Sequence, residues 1–172
     1  NGKPDYQNLI AQEAQRGHTV AIHSASHDYA KIYQSVDAYF ADFDEMNSII
    51  TAQTGKAADL VRFPGGSSNT ISKKYCYGIM SQLVCAVEER GFRYCDWNVS
   101  SGDAGGTTST SQVVANVIEG IKSNNVSVVL QHDIKNFSVD AVEQIIQWGL
   151  SEGYTFLPMT STTPMSHHGV NN

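Results

Sequence analysis

The chain reads as an α/β protein whose parallel sheet closes toward a distorted (β/α) barrel. Three observations predict this. Amphipathic helices alternate with short strands along the 172 residues, a pattern that implies parallel strands joined by right-handed crossovers. Val126 to Leu130 is a short, nearly unbroken apolar run, as in a strand buried on both faces. Polar residues also close strand after strand. His23, Arg62, Trp97 and His132 all fall at predicted carboxyl ends, the rim where α/β folds gather ligand chemistry.

The elements follow in order. Residues 4–16 predict a helix, with Pro4 suited to its first turn and Gly17 just beyond its end. Strand Thr19 to His23 comes next. The strongest periodic segment carries Val36, Tyr39, Phe40, Phe43, Met46, Ile49 and Ile50 on one stripe and is closed by Gly55. Strand Leu60 to Phe63 leads into the turn signal Pro64-Gly65-Gly66. A helix near 78–90 shows Ile79, Leu83, Val84 and Val87 and stops at Gly91. Strand Phe92 to Trp97 follows, then a loop from Ser100 to Ser111 rich in Gly, Ser and Thr. The segment 112–123 has a helical stripe of Val113, Val114, Val117, Ile118 and Ile121. Ser138 is placed to cap a helix carrying Val142, Ile145, Ile146 and Leu150. Tyr154 to Leu157 predicts a last strand, and residues 158–172 an irregular tail. One domain spans 1–172. It opens on a helix, where a parallel array has a strand, so a first strand or strands are expected upstream.

An apolar fraction of 41% is that of a soluble globular domain. No apolar run approaches the roughly 20 residues that span a bilayer. A net charge of −6 without a basic cluster argues against a nucleic-acid partner. A monomer is expected. Cys76, Cys85 and Cys95 have no CxxC spacing, which suits free buried thiols better than a disulfide framework. Cys85 is placed on the apolar face of its helix.

His23-Ser24-Ala25-Ser26-His27 is the most informative motif. Two imidazoles four residues apart at a strand end can face one divalent cation and fill half of a zinc shell. The expected arrangement puts both Nε2 atoms about 2.0–2.1 Å from one point. Arg62 to Gly66, Asp96-Trp97 with Asp103, and Leu130 to Asp133 accompany it. Each has an ordinary reading: surface histidines, an ion-pairing arginine, a core histidine at 132, and strand-end or capping carboxylates at Asp96 and Asp133. Trp97 reads as core or groove wall, His18 as structural. His167-His168 lies in the tail and reads as no metal pair. The joint pattern carries the weight.

With those residues together, the chain resembles the polysaccharide deacetylases, the family with the NodB homology domain (carbohydrate esterase family 4). The likeness runs from Asn1 to about Met165. It implies that His23 and His27 bind the catalytic metal, zinc or else cobalt or nickel. It implies that Arg62 holds the base carboxylate and that the Gly65 N–H faces the oxyanion. Asp103 would orient His132, the general acid, through a hydrogen bond of about 2.7–2.9 Å. Leu130 would pack the acetyl methyl, and Trp97 would line the opposite wall. The implied activity is removal of N-acetyl or O-acetyl groups from a cell-wall polysaccharide such as peptidoglycan or chitin oligomers, outside the cell or at its surface. An acetamide is inert to neutral water. The reaction needs an activated water, a base, and an acid for the departing amine.

The departures are as specific. The family's T-F-D-D motif, source of the base aspartate and the third metal ligand, is absent from the 172 residues. Gly65 stands where many members carry an aromatic, and Ala104 where a Trp often follows, which implies a more open groove. A catalytically inactive glycan-binding relative, or an inactive fragment, is the alternative function class. A strand ending in two consecutive aspartates upstream of Asn1 separates the two.

Overall fold

The computed structural model describes residues 7–172. Pro4, expected in the first helical turn, lies outside the described residues. The chain divides into two compact units, one holding the sequence up to Asp96 together with Pro158–Asn172, the other Trp97–Leu157.

In the first unit, α1 (Leu9–Gln15) ends at Gly17, whose φ of 86° suits a residue without Cβ. A one-turn α2 (Tyr29–Ile32) is not legible in the sequence; Asp28 caps it by accepting the Ala30 N–H. α3 (Val36–Thr54) is the predicted stripe, with Ser35 as N-cap and Gly55 in the left-handed region as C-cap. Tyr39, Phe40, Phe43 and Ile50 are buried on it, each contributing roughly 1.5–3 kcal/mol of burial. β1 (Leu60–Val61) pairs in parallel with β2 (Arg93–Tyr94), and Ile22 bridges Val61 in parallel. A 3₁₀ turn at Ser72–Lys74 precedes α4 (Ile79–Glu89). The core unites Ile22, Tyr33, Phe43, Phe63, Leu83 and Val87.

In the second unit, β3 (Val99–Ser100) pairs in parallel with β4 (Val129–Leu130). α5 (Thr110–Lys122) packs on α6 (Asn136–Ser151) around Val113, Val117, Ile121, Ala141 and Ile145. Every described strand pair is thus parallel, in a mixed helix and strand chain.

Several expectations need correction. The strands are shorter than their apolar runs: Thr19 to His23 contributes only the Ile22 bridge. Tyr154 to Leu157 forms no strand; the Tyr154 N–H turns back to the Gly149 carbonyl at 2.9 Å. Ser138 is no N-cap. α6 begins two residues earlier, after Lys135, and Ser138 is fully buried inside it. Cys85 is exposed while Cys95 is buried. α4 buries Ile79, Met80, Leu83 and Val87, and Cys85 lies about 200° round the helix from Leu83.

The tail has no regular structure, yet it is fixed. The His167 ring stacks on Tyr94 at 4.0 Å. The His168 N–H donates to Asp96 at 2.8 Å, and the Asn172 carbonyl accepts the Ser81 N–H at 2.7 Å.

Candidate active site

In the first unit, the bridge at Ile22 delivers His23 to a strand end. The His23 Nδ1 lies 2.7 Å from the Arg62 carbonyl. A carbonyl only accepts, so Nδ1 carries the proton and Nε2 the lone pair, the tautomer a metal ligand needs. The His23 and His27 ring centroids are 5.0 Å apart, tilted by 56°. Two imidazoles bound to one tetrahedral zinc at about 2.0–2.1 Å would have centroids about 5 Å apart, the spacing of these two rings. Among the described residues no group of three or more His, Cys, Asp or Glu is arranged to hold a metal.

The loop carrying these rings hangs on Asp42 of α3. This carboxylate is 2% exposed. It accepts the Ser24 hydroxyl at 2.5 Å, the Ala25 N–H at 2.8 Å and the Ser26 N–H at 2.9 Å. Ser24 in turn accepts the His27 N–H at 2.8 Å, and His27 sits at φ 53°, a conformation L-residues rarely adopt without such support. Burial pushes the Asp42 carboxyl up, but these hydrogen bonds outweigh it and hold it below the ordinary carboxylate value. Lys31 adds its charge at 3.8 Å. Asp42 is absent from the residues singled out in the sequence. Its signal there is a carboxylate one residue before Phe43, on the apolar side of the strongest helix.

Arg62, half-buried, donates from Nε to the Cys95 carbonyl and from Nη2 to the Asp96 carbonyl, both at 3.1 Å. The turn beyond it fits glycine only. Gly65 has φ 80°, and a Cβ there would come within 2.6 Å of the Tyr29 hydroxyl. Tyr29 therefore occupies the space next to Gly65, where the sequence implies a more open groove. Asp96 is fully buried and accepts the Ser67 N–H, the Ser67 hydroxyl and the His168 N–H. Three donors hold it in a structural clamp, which matches its ordinary reading as a strand-end carboxylate.

In the second unit, Asp103 and His132 meet as expected. The His132 Nδ1 lies 2.8 Å from one Asp103 oxygen, and the His132 backbone N–H donates to the other at 2.7 Å. The Ser138 hydroxyl donates to that second oxygen at 2.6 Å. The His132 side chain is 36% exposed and the Asp103 side chain 1%: a buried carboxylate presents an accessible imidazole. Burial raises the Asp103 carboxyl, but bonds from Ser138, His132 and Ser101 prevail and bring it down to about 2. The carboxylate stays ionised, so His132 Nδ1–H is its donor and Nε2 is the ring's working nitrogen. Gly102 at φ 78° and the Asn116 amide on the Ser101 carbonyl set the loop that brings Asp103 there. Leu130 and Trp97 are half-buried in this unit. Asp133 is exposed.

A family model described as polysaccharide deacetylase matches residues 3–77. The peptidoglycan-N-acetylglucosamine deacetylase of Bacillus cereus is 29% identical over 157 residues, covering 88% of this chain and 54% of that protein. The crystal structure of the catalytic domain of peptidoglycan N-acetylglucosamine deacetylase from Eubacterium rectale is 69% identical. It superposes with a TM-score of 0.97 over all of this chain and 79% of its own. The polysaccharide deacetylase Bc1974 of Bacillus cereus is 28% identical, with a TM-score of 0.79 over 95% of this chain and 77% of its own. The chain spans about half the length of the curated relatives it matches. It belongs to the polysaccharide deacetylase family, as a NodB-type domain.

Proposed function

From that membership, we propose that this chain works in a hydrolase that removes acetyl groups from N-acetylglucosamine units of a cell-wall polysaccharide, peptidoglycan before chitin. The observation that carries the reading is the His132–Asp103 pair, an accessible imidazole bonded to one oxygen of a buried, ionised carboxylate whose other oxygen accepts the His132 backbone N–H. Amide hydrolysis stalls at departure of the amine, and this pair is built to deliver a proton there. In the proposed step, the base carboxylate takes one proton from the water as its oxygen adds to the acetyl carbon. The carbon–nitrogen bond breaks, and His132, protonated at both ring nitrogens, gives its Nε2 proton to the leaving nitrogen. Proton exchange with solvent and the released acetic acid then resets base and imidazole. Acetate and a free amine result.

His23 and His27 would hold the divalent cation, zinc or else cobalt or nickel. When bound, that ion supplies an acidified water and a Lewis acid for the carbonyl. Arg62 would orient the base carboxylate, the Gly65 N–H would donate to the developing oxyanion, and Leu130 and Trp97 would line the acetyl and sugar sites. The base and the third ligand correspond to the T-F-D-D motif, which this sequence does not contain. Closure of the parallel strands into the distorted barrel, and action outside the cell or at its surface, belong to the same proposal.

The test is acetate release from N-acetylglucosamine oligomers with added zinc or cobalt. It compares this 172-residue chain with a longer chain extended upstream of Asn1. Little release from the short chain and sustained turnover by the longer one is the expected result. Full activity in the short chain would move the base to Asp96, Asp103 or Asp133. Oligomer binding without acetate release by the longer one would favour the inactive glycan-binding relative.

A further inference from the structure

Besides the Ser101 hydroxyl, three donors meet the two oxygens of Asp103. One oxygen faces the His132 ring. The other is held twice, by the His132 N–H at 2.7 Å and by the Ser138 hydroxyl at 2.6 Å. A carboxylate held at one oxygen by a single bond can rotate about its last torsion, and the ring would follow it. The second bond to the same oxygen removes that freedom. Ser138 is suited to supply it. It is 0% exposed, and its backbone is fixed on both sides, with the N–H on the Lys135 carbonyl and the carbonyl accepting the Gln131 amide at 2.6 Å. A serine inside a helix ordinarily bonds back along its own helix. This one donates out of its helix to the Asp103 carboxylate instead. Of the bonds that keep the Asp103 carboxyl near 2, the one from Ser138 ranks first after the opposing effect of burial.

We propose that Ser138 is a positioning residue for amine protonation: its hydroxyl locks the Asp103 carboxylate so that His132 presents Nε2 to the leaving nitrogen. This rests on His132 acting as the acid in the reading above. The lock predicts a selective defect. An amide needs a proton on its leaving nitrogen, whereas an aryl acetate expels a stable phenolate and needs none.

The experiment compares the longer chain extended upstream of Asn1 with its Ser138→Ala and Ser138→Thr variants, using an N-acetylglucosamine oligomer and 4-nitrophenyl acetate. Circular dichroism and denaturant titration establish that each variant is folded. The alanine variant is expected to lose about ten-fold or more in kcat on the oligomer, a fraction of what general acid catalysis supplies. Its KM, and its turnover of the aryl ester, should hold within about two-fold. The threonine variant keeps the donor and should retain most amide turnover. Equal loss on both substrates in the alanine variant overturns the proposal, as does a folded threonine variant as impaired as alanine.

A second readout needs neither metal nor turnover. The His132 Nδ1 proton, bonded to an ionised carboxylate, gives a low-field proton resonance, assigned by its absence in His132→Gln. It should weaken or move upfield in the alanine variant. If it is unmoved, Ser138 does not position the pair. If the longer wild-type chain releases no acetate from either substrate, the deacetylase reading fails, and this resonance alone decides for Ser138.

Discussion

Asp42 shows how one side chain sets the geometry of several others. Two N–H groups and one hydroxyl converge on it, and through Ser24 it also holds His27. Asp42→Asn keeps the size but turns an amide NH2 toward backbone N–H donors, so one bond becomes a repulsion. With His23 and His27 holding zinc as proposed, its affinity should fall about 10- to 100-fold, the usual loss when an outer support of metal ligands is removed. Competition with a chromophoric chelator measures it, and unchanged affinity would mean the histidine loop supports itself. Asp103 gives a second residue-level prediction. Its folded carboxyl lies near 2, below the ordinary 3.8. A lowered folded value means that the group stabilises the native state above 3.8 and that this contribution drains away as pH falls toward 2. Denaturant midpoints of the wild type should therefore drop in that window, and Asp103→Asn should flatten the drop. On the oligomer, Asp103→Asn in the longer chain should cut kcat far more than it changes KM, because in the proposed reaction it disturbs the proton donor rather than substrate contacts. Equal acid sensitivity in the two proteins would detach the carboxylate from stability.

Among elements, the long helices are legible in the sequence and the strands only in part: Leu60–Val61, Arg93–Tyr94 and Val129–Leu130 fall inside predicted strands, but their two-residue extents, and the one-turn α2, do not show there. A helix declares itself over three or four turns: the α3 stripe, Ser35 and Gly55 all name the same segment. A two-residue strand has no period to read, so Val99–Ser100 passes for loop and Tyr154 to Leu157 passes for strand. Ser138 misleads for a related reason. A serine near a helix start is usually a cap, and only the fold reveals that its hydroxyl is engaged by a carboxylate 35 residues away. Gly120 is another case where tertiary contact overrides local preference. Glycine weakens a helix interior, yet a Cβ on it would collide with the Val99 side chain of β3. Gly120→Ala should therefore destabilise the second unit by about 1–3 kcal/mol, an overpacking cost that exceeds alanine's gain in helix propensity. A neutral or stabilising alanine in urea denaturation would show that β3 can shift away from α5.

Across the whole molecule, the motif residues can be found in the sequence because their chemistry is local, His23 with His27 and His132 before Asp133. Apart from Asp103, their supports cannot, because Asp42, Ser138 and the tail come from distant segments with no motif of their own. The tail is the clearest instance. α4 starts at Gly78, an N-cap with no side chain to offer, and its first-turn N–H groups need acceptors. Asn172 supplies them from 91 or more residues away: its carbonyl accepts the Ser81 N–H and hydroxyl, and its side chain accepts the Gly78 N–H at 2.9 Å. His168 adds a backbone N–H to the buried Asp96 carboxylate, and His167 lays its ring on Tyr94. A segment that reads as irregular surface thus caps a helix and satisfies a buried charge. Deleting residues 167–172 should cost about 2–4 kcal/mol, the worth of a stacked ring plus bonds to a charged group and a helix end. The loss should be local. Amide exchange should quicken at Ser81 and Ser67, next to the vacated contacts, while Ser101 and His132 in the other unit keep their protection. Unchanged exchange at Ser81 after the deletion would show that water replaces the Asn172 carbonyl at no cost, and the tail would then be surface after all.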